Sequence, residues 1–326
     1  MDLFKMKSLS KGELHVHLNG LAKTNILRSL LESCTDELPK GFSLSSDLTR
    51  STPASSLSDY LKPWQALRLI PRSRTDLSKI VDSAFAELQR ENVKFVELRN
   101  SIIYISLLNG ITVQESLEWL LQAIDELSTK YNITAGLILT VTRGEYAPEH
   151  LRALLEAYKL LGRPKSVVGL DLAGNEEVHP PTETASLFRK AKDDEGLSIT
   201  IHAGETGKPL NIEEAIHNYG ADRIGHGTAI IKSPQLMDLV KEKDICIEVC
   251  PVSNRLTNAV AENESHPVRE MVEHGVPFVI CSDNPSIHCS SLSEDYLEFY
   301  NETGNSELLE NMFATQKKYS FIKGLK

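Results

Sequence analysis

The sequence of 326 residues predicts an α/β fold, and more narrowly a (β/α)8 TIM barrel that forms one domain over residues 1–326. Short β-rich apolar runs alternate with amphipathic helical stretches, a pattern typical of parallel βαβ units. The runs number eight, which is the strand count of the closed barrel. An open doubly wound sheet is the main alternative. It usually carries a Gly-rich phosphate turn after its first strand, where this chain has His-Val-His-Leu-Asn-Gly at 15–20.

Each element is predicted from the period of its apolar residues. The helix over 76–91 has one apolar stripe, formed by Leu77, Ile80, Val81, Ala84, Phe85 and Leu88. The predicted strands are 13–18, 94–102, 133–142, 167–173, 198–203, 223–227, 245–250 and 278–282. The predicted helices are 76–91, 112–131, 149–161, 182–192, 212–219, 233–242 and 267–274.

Two segments outside this alternation also receive an interpretation. The stretch 41–58 is rich in Ser and Thr and follows the first strand. We interpret it as part of a lid segment on the catalytic face, with a plain surface loop as the alternative. After Asn305 the chain is predicted to form a C-terminal helical tail that packs on the barrel.

Composition narrows the class of protein and of partner. Hydrophobic residues make up 41% and charged residues 25%, which are ordinary values for a globular protein. A net charge of −10 disfavours a nucleic-acid polymer or an anionic membrane as the principal partner, although a local basic pocket could still hold one phosphate. No apolar run approaches the ~18 residues of a membrane span, and residues 1–11 lack the apolar region of a signal peptide. The five cysteines are odd in number, so we expect reduced thiols in a cytoplasmic protein.

Polar and ionisable residues gather at the ends of the predicted strands, on the face where barrel enzymes build active sites. His15 and His17 lie on the first strand and project from one face of it, because strand side chains alternate. The fourth to eighth strands end in Asp-Leu-Ala-Gly-Asn-Glu (171–176), His-Ala-Gly-Glu (202–205), Gly-His-Gly (225–227), Glu-Val-Cys-Pro (248–251) and Ser-Asp-Asn-Pro (282–285).

These groups include a donor set suited to one Zn²⁺ per chain, with an open position for water. A zinc-bound water ionises near neutral pH and supplies a hydroxide nucleophile. Glu248 is predicted to accept a hydrogen bond from a ligand histidine. The predicted metal ligands are His15, His17, His202 and Asp283.

Two further residues have chemistry that complements a metal site. Glu205 follows a predicted ligand on a turn and is a candidate proton donor to a substrate nitrogen, with a helix cap as the alternative. His226 lies between glycines and could accept the proton of the metal water or orient it, or it could be an ordinary core histidine. The other histidines are expected on the surface: His150, His179, His217, His266, His274 and His288.

Taken in order, these motifs resemble the adenosine deaminase family over roughly residues 10–300. The segment Asp-Tyr-Leu-Lys-Pro-Trp at 59–64 resembles the family's apolar gate over the nucleoside, and Phe-Val-Glu-Leu-Arg at 95–99 resembles its second strand. The motifs that carry the resemblance are His-x-His-Leu-x-Gly, Asp-Leu-Ala-Gly-x-Glu, His-Ala-Gly-Glu, Arg-Ile-Gly-His-Gly, Glu-Val-Cys-Pro-x-Ser-Asn and Ser-Asp-x-Pro.

The resemblance implies a zinc-dependent hydrolytic deaminase with the same four metal ligands, and with Asp283 also among the catalytic residues. It implies that Glu205 protonates purine N1, that His226 assists the attacking hydroxide, and that the backbone N–H of Gly174 donates to purine N3. The expected substrate-binding residues are Asn19, Gly174, Asn284, Tyr60 and Trp64.

Asn19, Asn175 and Asn284 stand where the family usually has Asp. None of them is a predicted ligand, so hydrolysis is expected to survive. The amide of Asn284 can donate to purine N7 directly. The family residue at position 19 contacts the sugar hydroxyl, and Asp there would repel a 5′-phosphate whereas Asn would not.

The leading hypothesis is deamination of adenosine or deoxyadenosine to inosine or deoxyinosine with release of ammonia. The alternative is a deaminase of a 5′-phosphorylated or N6-modified adenine nucleotide, such as AMP or N6-methyl-AMP. A non-catalytic nucleoside-binding relative and a different amidohydrolase reaction complete the set. In the first two hypotheses the partner is a small-molecule purine nucleoside or nucleotide.

Overall fold

The computed structural model describes residues 1–325, except for the side chain of Asp36. Eight parallel strands form one sheet in which each strand pairs with the next in the chain. The predicted TIM barrel is thereby confirmed, and the doubly wound alternative is wrong. The strands are β1 Lys11–His17, β2 Val93–Asn100, β3 Thr134–Thr142, β4 Val167–Ala173, β5 Ser198–Ala203, β6 Arg223–His226, β7 Cys246–Val249 and β8 Phe278–Ile280.

The ring closes between β8 and β1 at the residues that carry the predicted site. The backbone N–H of Asp283 donates to the carbonyl of His15, and the N–H of His17 donates to the carbonyl of Asp283, both at 2.9 Å. Further down the same seam, the side chain of Gln316 accepts from the N–H of Gly12 and donates to the carbonyl of Ile280. Closure of the barrel therefore brings predicted ligands from its first and last strands together.

Helices cover the outside of the barrel and fill its loops. Several begin at a residue whose side chain accepts a backbone N–H of the first turn, such as Ser73 and Thr112. The α-helices are α1 Leu3–Ser8, α2 Leu18–Leu21, α3 Thr24–Leu31, α4 Leu57–Tyr60, α5 Lys62–Leu67, α6 Arg74–Arg90, α7 Ile102–Asn109, α8 Val113–Tyr131, α9 Ala147–Leu160, α10 Glu183–Glu195, α11 Pro209–Glu214, α12 Pro234–Glu242, α13 Pro251–Leu256, α14 Val268–His274, α15 Pro285–His288, α16 Leu292–Thr303 and α17 Ser306–Tyr319. Short 3-10 helices span Glu32–Glu37 and Thr228–Lys232, and a π-helical turn spans Ala215–Tyr219.

The helices that were not predicted from the sequence are mostly short. Helices of four to eight residues follow β1, β2, β7 and β8, and such lengths are too short for a helical period to be read. The predicted second strand ends two residues early, at Asn100, because α7 begins at Ile102. The predicted helix over 212–219 is a short α-helix followed by the π-helical turn. The predicted C-terminal helix is confirmed as α17.

The segment 41–58 contacts the loops at the catalytic face, since Arg50 N–H donates to the carbonyl of Ile287 and Ala54 N–H to that of Leu256. Of this segment, however, only Leu57 lines the central cavity. Most of the wall on this side is formed by the next residues, from Tyr60 to Pro71. The predicted lid thus lies largely beside the cavity, and the gate motif at 59–64 forms part of the cavity wall.

No helix within residues 1–325 combines the length and apolar character that a membrane crossing requires.

Candidate active site

A cavity of about 330 Å³ opens at the carboxyl ends of the strands, within the size range of small-molecule sites. Its wall combines apolar side chains from the gate with polar groups from the strand ends. His15 lies beneath the cavity floor and is fully buried. The other predicted site residues line the cavity directly: His17, Asn19, Tyr60, Trp64, Gly174, His202, Glu205, His226, Asp283 and Asn284.

The four predicted metal donors lie close to one another. His202 Nε2 lies 3.1 Å from His15 Nε2 and 3.3 Å from His17 Nε2. Asp283 Oδ1 lies 3.6 Å from His15 Nε2 and 3.4 Å from His17 Nε2. Tetrahedral zinc ligands at ~2.0–2.2 Å from the metal stand about 3.3 Å from one another. The separations therefore suit a tetrahedral metal ion such as Zn²⁺.

The outer nitrogens of two of these histidines are engaged by carboxylates. His15 Nδ1–H donates to Glu248 Oε2 at 2.7 Å, as the sequence predicts, and His202 Nδ1–H donates to Asp171 Oδ1 at 2.9 Å. Both Nε2 atoms then carry lone pairs that face each other across 3.1 Å. Such lone pairs repel, and a cation between them turns the repulsion into attraction. The donor chemistry thus fits a bound metal.

A buried charge network lies under the donors. Arg99 contacts both Asp171 and Glu248, and Arg223 donates to Glu248 Oε1 at 2.7 Å and to Glu97 Oε2 at 2.6 Å. Burial disfavours ionisation of Glu248, but the two guanidiniums outweigh it and hold its pKa well below the usual range. Including Asp283, the region holds four carboxylates and two guanidiniums. The guanidiniums and the carboxylates that they contact thus offset one another's cost of burial.

Asp283 has contacts that leave one of its oxygens for a metal. Ser253 Oγ donates to Asp283 Oδ2 at 2.7 Å, and Tyr60 Oη lies 3.3 Å from the same oxygen. The backbone of Asp283 has a φ of +60°, a left-handed conformation that is strained for this residue and typical of functional sites.

Glu205 is a carboxyl group of the cavity wall that its environment keeps protonated. Burial, and then the negative charges of Asp283 and Glu176, raise its pKa well above the usual range. Its Oε1 is buried and has no hydrogen-bond partner among the described residues. The carboxylate of Glu176 accepts the backbone N–H groups of Gly204 and Thr206, on either side of Glu205. The turn therefore holds a protonated acid at the cavity wall.

His226 lies against the donors and is neutral. Burial lowers its pKa well below the usual range. Asn254 Nδ2 lies 3.1 Å from His226 Nδ1. Gly225, the residue before His226, allows β6 to lie close to His15 and His202. A Cβ at this position would lie 2.8 Å from His15 Cε1 and 3.3 Å from His202 Cα.

The predicted substrate-binding residues line a separate part of the wall. The rings of Tyr60 and Trp64 pack 5.6 Å apart on the gate side. Asn284 Nδ2 donates to Tyr60 Oη at 3.1 Å, while Asn284 Oδ1 is buried without a partner in the described structure. Asn175 also lines the cavity, although it was not among the predicted substrate-binding residues.

Two histidines expected on the surface are buried, so that expectation is wrong for His266 and His288. His288 is 4% exposed, and its Nε2 lies 2.7 Å from Tyr60 Oη. His266 is 1% exposed, and its Nε2 lies 3.2 Å from Asn254 Oδ1. His266 lies just before α14, and His288 is the last residue of α15. Neither residue belongs to a periodic segment of the sequence, so its burial could not be predicted.

Sequence reasoning also missed residues that hold the site in place. Ser253 and Asn254 lie inside the motif Glu-Val-Cys-Pro-x-Ser-Asn, and a polar pair four residues after the end of a strand was the available signal. Glu176 had a similar signal, as the last residue of Asp-Leu-Ala-Gly-Asn-Glu. No sequence pattern indicates which residues pair with Arg99 and Arg223, since these partners come from strands far apart in the sequence.

An eight-stranded barrel with imidazole and carboxylate donors at the carboxyl ends of its strands is typical of metal-dependent hydrolases. A family model described as adenosine deaminase matches residues 10–323. A curated adenosine deaminase of Clostridium botulinum is 31% identical over 299 residues, which cover 91% of this chain and 88% of that protein. The chain therefore belongs to the adenosine deaminase family, and it is a hydrolase acting on C–N bonds in cyclic amidines.

Solved structures share the fold. The Arabidopsis N6-mAMP deaminase superposes with a TM-score of 0.81 at 23% identity, over 98% of this chain and 96% of that chain. An amidohydrolase of Burkholderia ambifaria with bound zinc superposes with a TM-score of 0.84 at 20% identity, over 99% of this chain and 88% of that chain. At these identities the likeness extends to the barrel architecture alone.

Proposed function

We propose that this protein is a zinc-dependent deaminase that converts adenosine or deoxyadenosine to inosine or deoxyinosine with release of ammonia. One observation carries the proposal: the cavity has the metal-donor set at its floor and the protonated acid Glu205 in its wall. Hydrolytic deamination of a ring amidine requires an activated water and a proton for the ring nitrogen. The 31% identity to curated adenosine deaminases supports the nucleoside as substrate.

In this proposal His15, His17, His202 and Asp283 hold one zinc ion. When bound, zinc supplies Lewis acidity that lowers the pKa of a coordinated water. Asp171 and Glu248 orient the rings of His202 and His15 by accepting from Nδ1, which leaves each Nε2 lone pair for the metal.

Glu205 acts as the proton donor. Its buried, partnerless Oε1 suits a hydrogen bond to purine N1, and a proton delivered there makes C6 more electrophilic. His226 lies beside the donor set and assists the attacking oxygen. Gly174, with a left-handed φ of +97°, offers its backbone N–H to purine N3, and Asn284 faces N7.

Mixing the purified, zinc-loaded protein with adenosine and with deoxyadenosine tests the proposal. We expect loss of the adenosine absorbance band together with release of one ammonia per purine. A zinc-loaded Glu205→Gln variant serves as the control for contaminating deaminase. Absence of conversion of both nucleosides by the wild-type protein would reject the nucleoside proposal.

A second candidate substrate is a 5′-phosphorylated or N6-modified adenine nucleotide, favoured by the charges along the cavity. The carboxyl groups that line it, Glu205 and Asp283, belong to the metal end. Away from that end, its wall carries the guanidinium of Arg68, which is exposed. Arg143 also lines the cavity, but its Nη2 donates to the backbone carbonyl of His202 at 2.7 Å, beside the metal donors. Asn19 adds no negative charge where a sugar-side carboxylate would repel a phosphate.

Comparison of adenosine, AMP and N6-methyl-AMP in one assay separates the two candidates. If the nucleotide is the substrate, Asn19→Asp and Arg68→Gln lower kcat/KM for AMP and leave adenosine less affected, because each change disfavours the phosphate. Arg72→Gln is the matched control, since Arg72 lies near Arg68 but outside the cavity. A clear preference of the wild-type protein for adenosine removes this candidate.

A further inference from the structure

We propose that His266 and Asn254 are positioning residues that fix the side-chain proton of His226 on Nε2, so that His226 meets the reacting groups as a hydrogen-bond donor and not as a metal ligand. The catalytic meaning of this inference rests on the proposed function. The hydrogen bonds that carry it do not depend on the substrate. His226, Asn254 and His266 are 2%, 0% and 1% exposed, so solvent does not compete for these bonds.

The series of bonds begins at a backbone amide, whose direction is certain. The N–H of Val268 lies 3.1 Å from His266 Nδ1. A backbone amide can only donate, so His266 Nδ1 accepts. Val268 is the first residue of α14, where backbone amides lack partners within the helix. Burial and the nearby charge of Arg255 lower the pKa of His266 to about 3, so the ring is neutral and its single proton is on Nε2.

The proton on His266 sets the orientation of the next side chain. His266 Nε2–H donates to Asn254 Oδ1 at 3.2 Å. The amide then turns its Nδ2 toward His226, where it donates to Nδ1 at 3.1 Å. The opposite amide orientation would set the N–H of Asn254 against the N–H of His266. His226 Nδ1 therefore accepts a hydrogen bond and carries no proton, which leaves the ring proton on Nε2.

A proton on Nε2 determines whether His226 can bind a metal ion or donate a hydrogen bond. One of its ring nitrogens lies within 4.8 Å of the donor atoms of His15, His202 and Asp283, close enough for it to be taken as a further ligand. An N–H nitrogen has no lone pair for a metal, so the protonated Nε2 keeps His226 out of the ligand set. It also gives His226 a donor for the attacking oxygen, which orients that oxygen and stabilises charge as it develops.

The opposite tautomer would have a different effect. A proton on Nδ1 would leave a lone pair on Nε2 beside the cation, and His226 would then compete with water for the open position. Asn254→Asp imposes this tautomer, because a carboxylate accepts from both neighbouring rings and cannot donate to His226. His266→Phe removes the bond that orients the amide, whereas His266→Gln retains a side-chain N–H donor.

Nitrogen-15 NMR of the zinc-loaded protein with labelled histidine tests the assignment directly. The signals of His226 are identified by their loss in a His226→Gln variant. We expect a pyridine-type Nδ1 and a protonated Nε2 in the wild-type protein, a protonated Nδ1 in Asn254→Asp, and mixed tautomers in His266→Phe. His266→Gln is expected to restore the wild-type pattern. A protonated Nδ1 in the wild-type protein overturns the proposal, and this result does not depend on the folding of the Asn254 and His266 variants.

Steady-state kinetics provide a second measurement, with whichever of adenosine, AMP and N6-methyl-AMP the wild-type protein prefers. We expect kcat to fall by about tenfold to a hundredfold in Asn254→Asp with KM little changed, since the change acts on a reacting group through its neighbour. Asn258→Asp is the matched control, because Asn258 is exposed and carries the same chemical change four residues away. An unchanged tautomer and kcat in Asn254→Asp would overturn the inference. If no purine is converted but the tautomer is as assigned, the proposed function fails, and the assignment of the His226 proton through His266 and Asn254 stands.

Discussion

Glu205 shows how one residue acquires its chemistry from its surroundings. An exposed glutamate is ionised at neutral pH and could not deliver a proton. Here burial comes first, and the charges of Asp283 and Glu176 add to it, so the carboxyl group keeps its proton at the cavity wall. Glu176 contributes twice, because it also holds the backbone on both sides of Glu205.

Replacement of Glu205 tests this role. We expect Glu205→Gln to lower kcat by about 10²–10⁴-fold, the usual contribution of a general acid, while the zinc content stays unchanged. Steady-state rates and metal analysis on the same preparation check both parts. Glu177→Gln is the control, since Glu177 is exposed in the neighbouring loop. Activity of Glu205→Gln within a few-fold of the wild type would exclude this residue as the acid.

His266 gives the stability of the fold a dependence on pH. Its pKa is about 3 in the folded protein, mainly because of burial, and 6.5 in the reference state. Between these values the unfolded chain binds a proton that the folded chain does not. Stability from this residue is therefore full above pH 6.5 and is lost as pH falls toward 3.

Urea unfolding at pH 7 and pH 5 measures this effect. The free energy of unfolding of the wild-type protein should fall by about 2 kcal/mol more than that of His266→Phe, which no longer has the titrating group. His274→Phe, the same change at an exposed histidine, should behave as the wild type. Equal losses in wild type and His266→Phe would contradict the assignment of a neutral, buried ring.

At the scale of elements, each strand end contributes one or two groups, and the backbone geometry of the barrel sets how closely they meet. β6 approaches both β1 and β5 at the donors, and only glycine at position 225 leaves space for His15 and His202. The short helix α13 delivers Ser253 to Asp283 and Asn254 to His226 from consecutive positions. Loops after the strands thus support residues that the strands present.

Gly225→Ala tests the importance of this spacing. A Cβ there meets His15 Cε1 at 2.8 Å, so we expect zinc affinity to fall by about tenfold to a hundredfold as the ring is displaced. Competition with a chelator measures the affinity. Gly136→Ala is the matched control, because its Cβ meets Ile322 and Val168 at 2.9 Å at the other end of the barrel. Wild-type zinc affinity in Gly225→Ala would show that the donors can shift without cost.

At the scale of the whole molecule, buried charges link the metal end of the barrel to its base. The network runs from His15 through Glu248 and Arg223 to Glu97. At the base, Ser320 donates to Glu97 and the ring of Phe321 lies 3.6 Å from the guanidinium of Arg223. The C-terminal segment after α17 therefore closes the end of the barrel opposite the cavity.

Metal removal should be visible in the stability of the entire barrel. Chelation should lower Tm, because the donors from β1, β5 and the end of β8 then face one another without a cation; a metal at a thousand times its Kd adds about 4 kcal/mol. Thermal unfolding with chelator and after zinc is restored provides the measurement. Asp283→Asn should respond less to chelation, since it lacks one charged donor. Identical Tm values with and without chelator in the wild type would exclude a stabilising metal.

Much of the fold and of the site could be predicted from particular residues. The apolar period of residues 76–91 predicts α6, and the positions of β4 and β5 match their predicted bounds. The donors His15, His17, His202 and Asp283 could be selected because metal chemistry restricts the residue types and strand ends restrict their places. His266 and His288 were misplaced because burial of a loop residue depends on the path of the loop, which has no period.

Hydrophobic period and residue type are local properties, so the alternation of strands and helices, the barrel and a candidate donor set could be predicted from the sequence. The pairing of distant groups follows from the three-dimensional fold: Glu176 pairs with the turn of Glu205, Asn284 with Tyr60, and His266 with Asn254. These pairs depend on loop paths and side-chain rotamers that bring distant residues within hydrogen-bond distance. The direction of each bond, and hence the proton on His226, follows from that geometry and from the fixed polarity of a backbone amide.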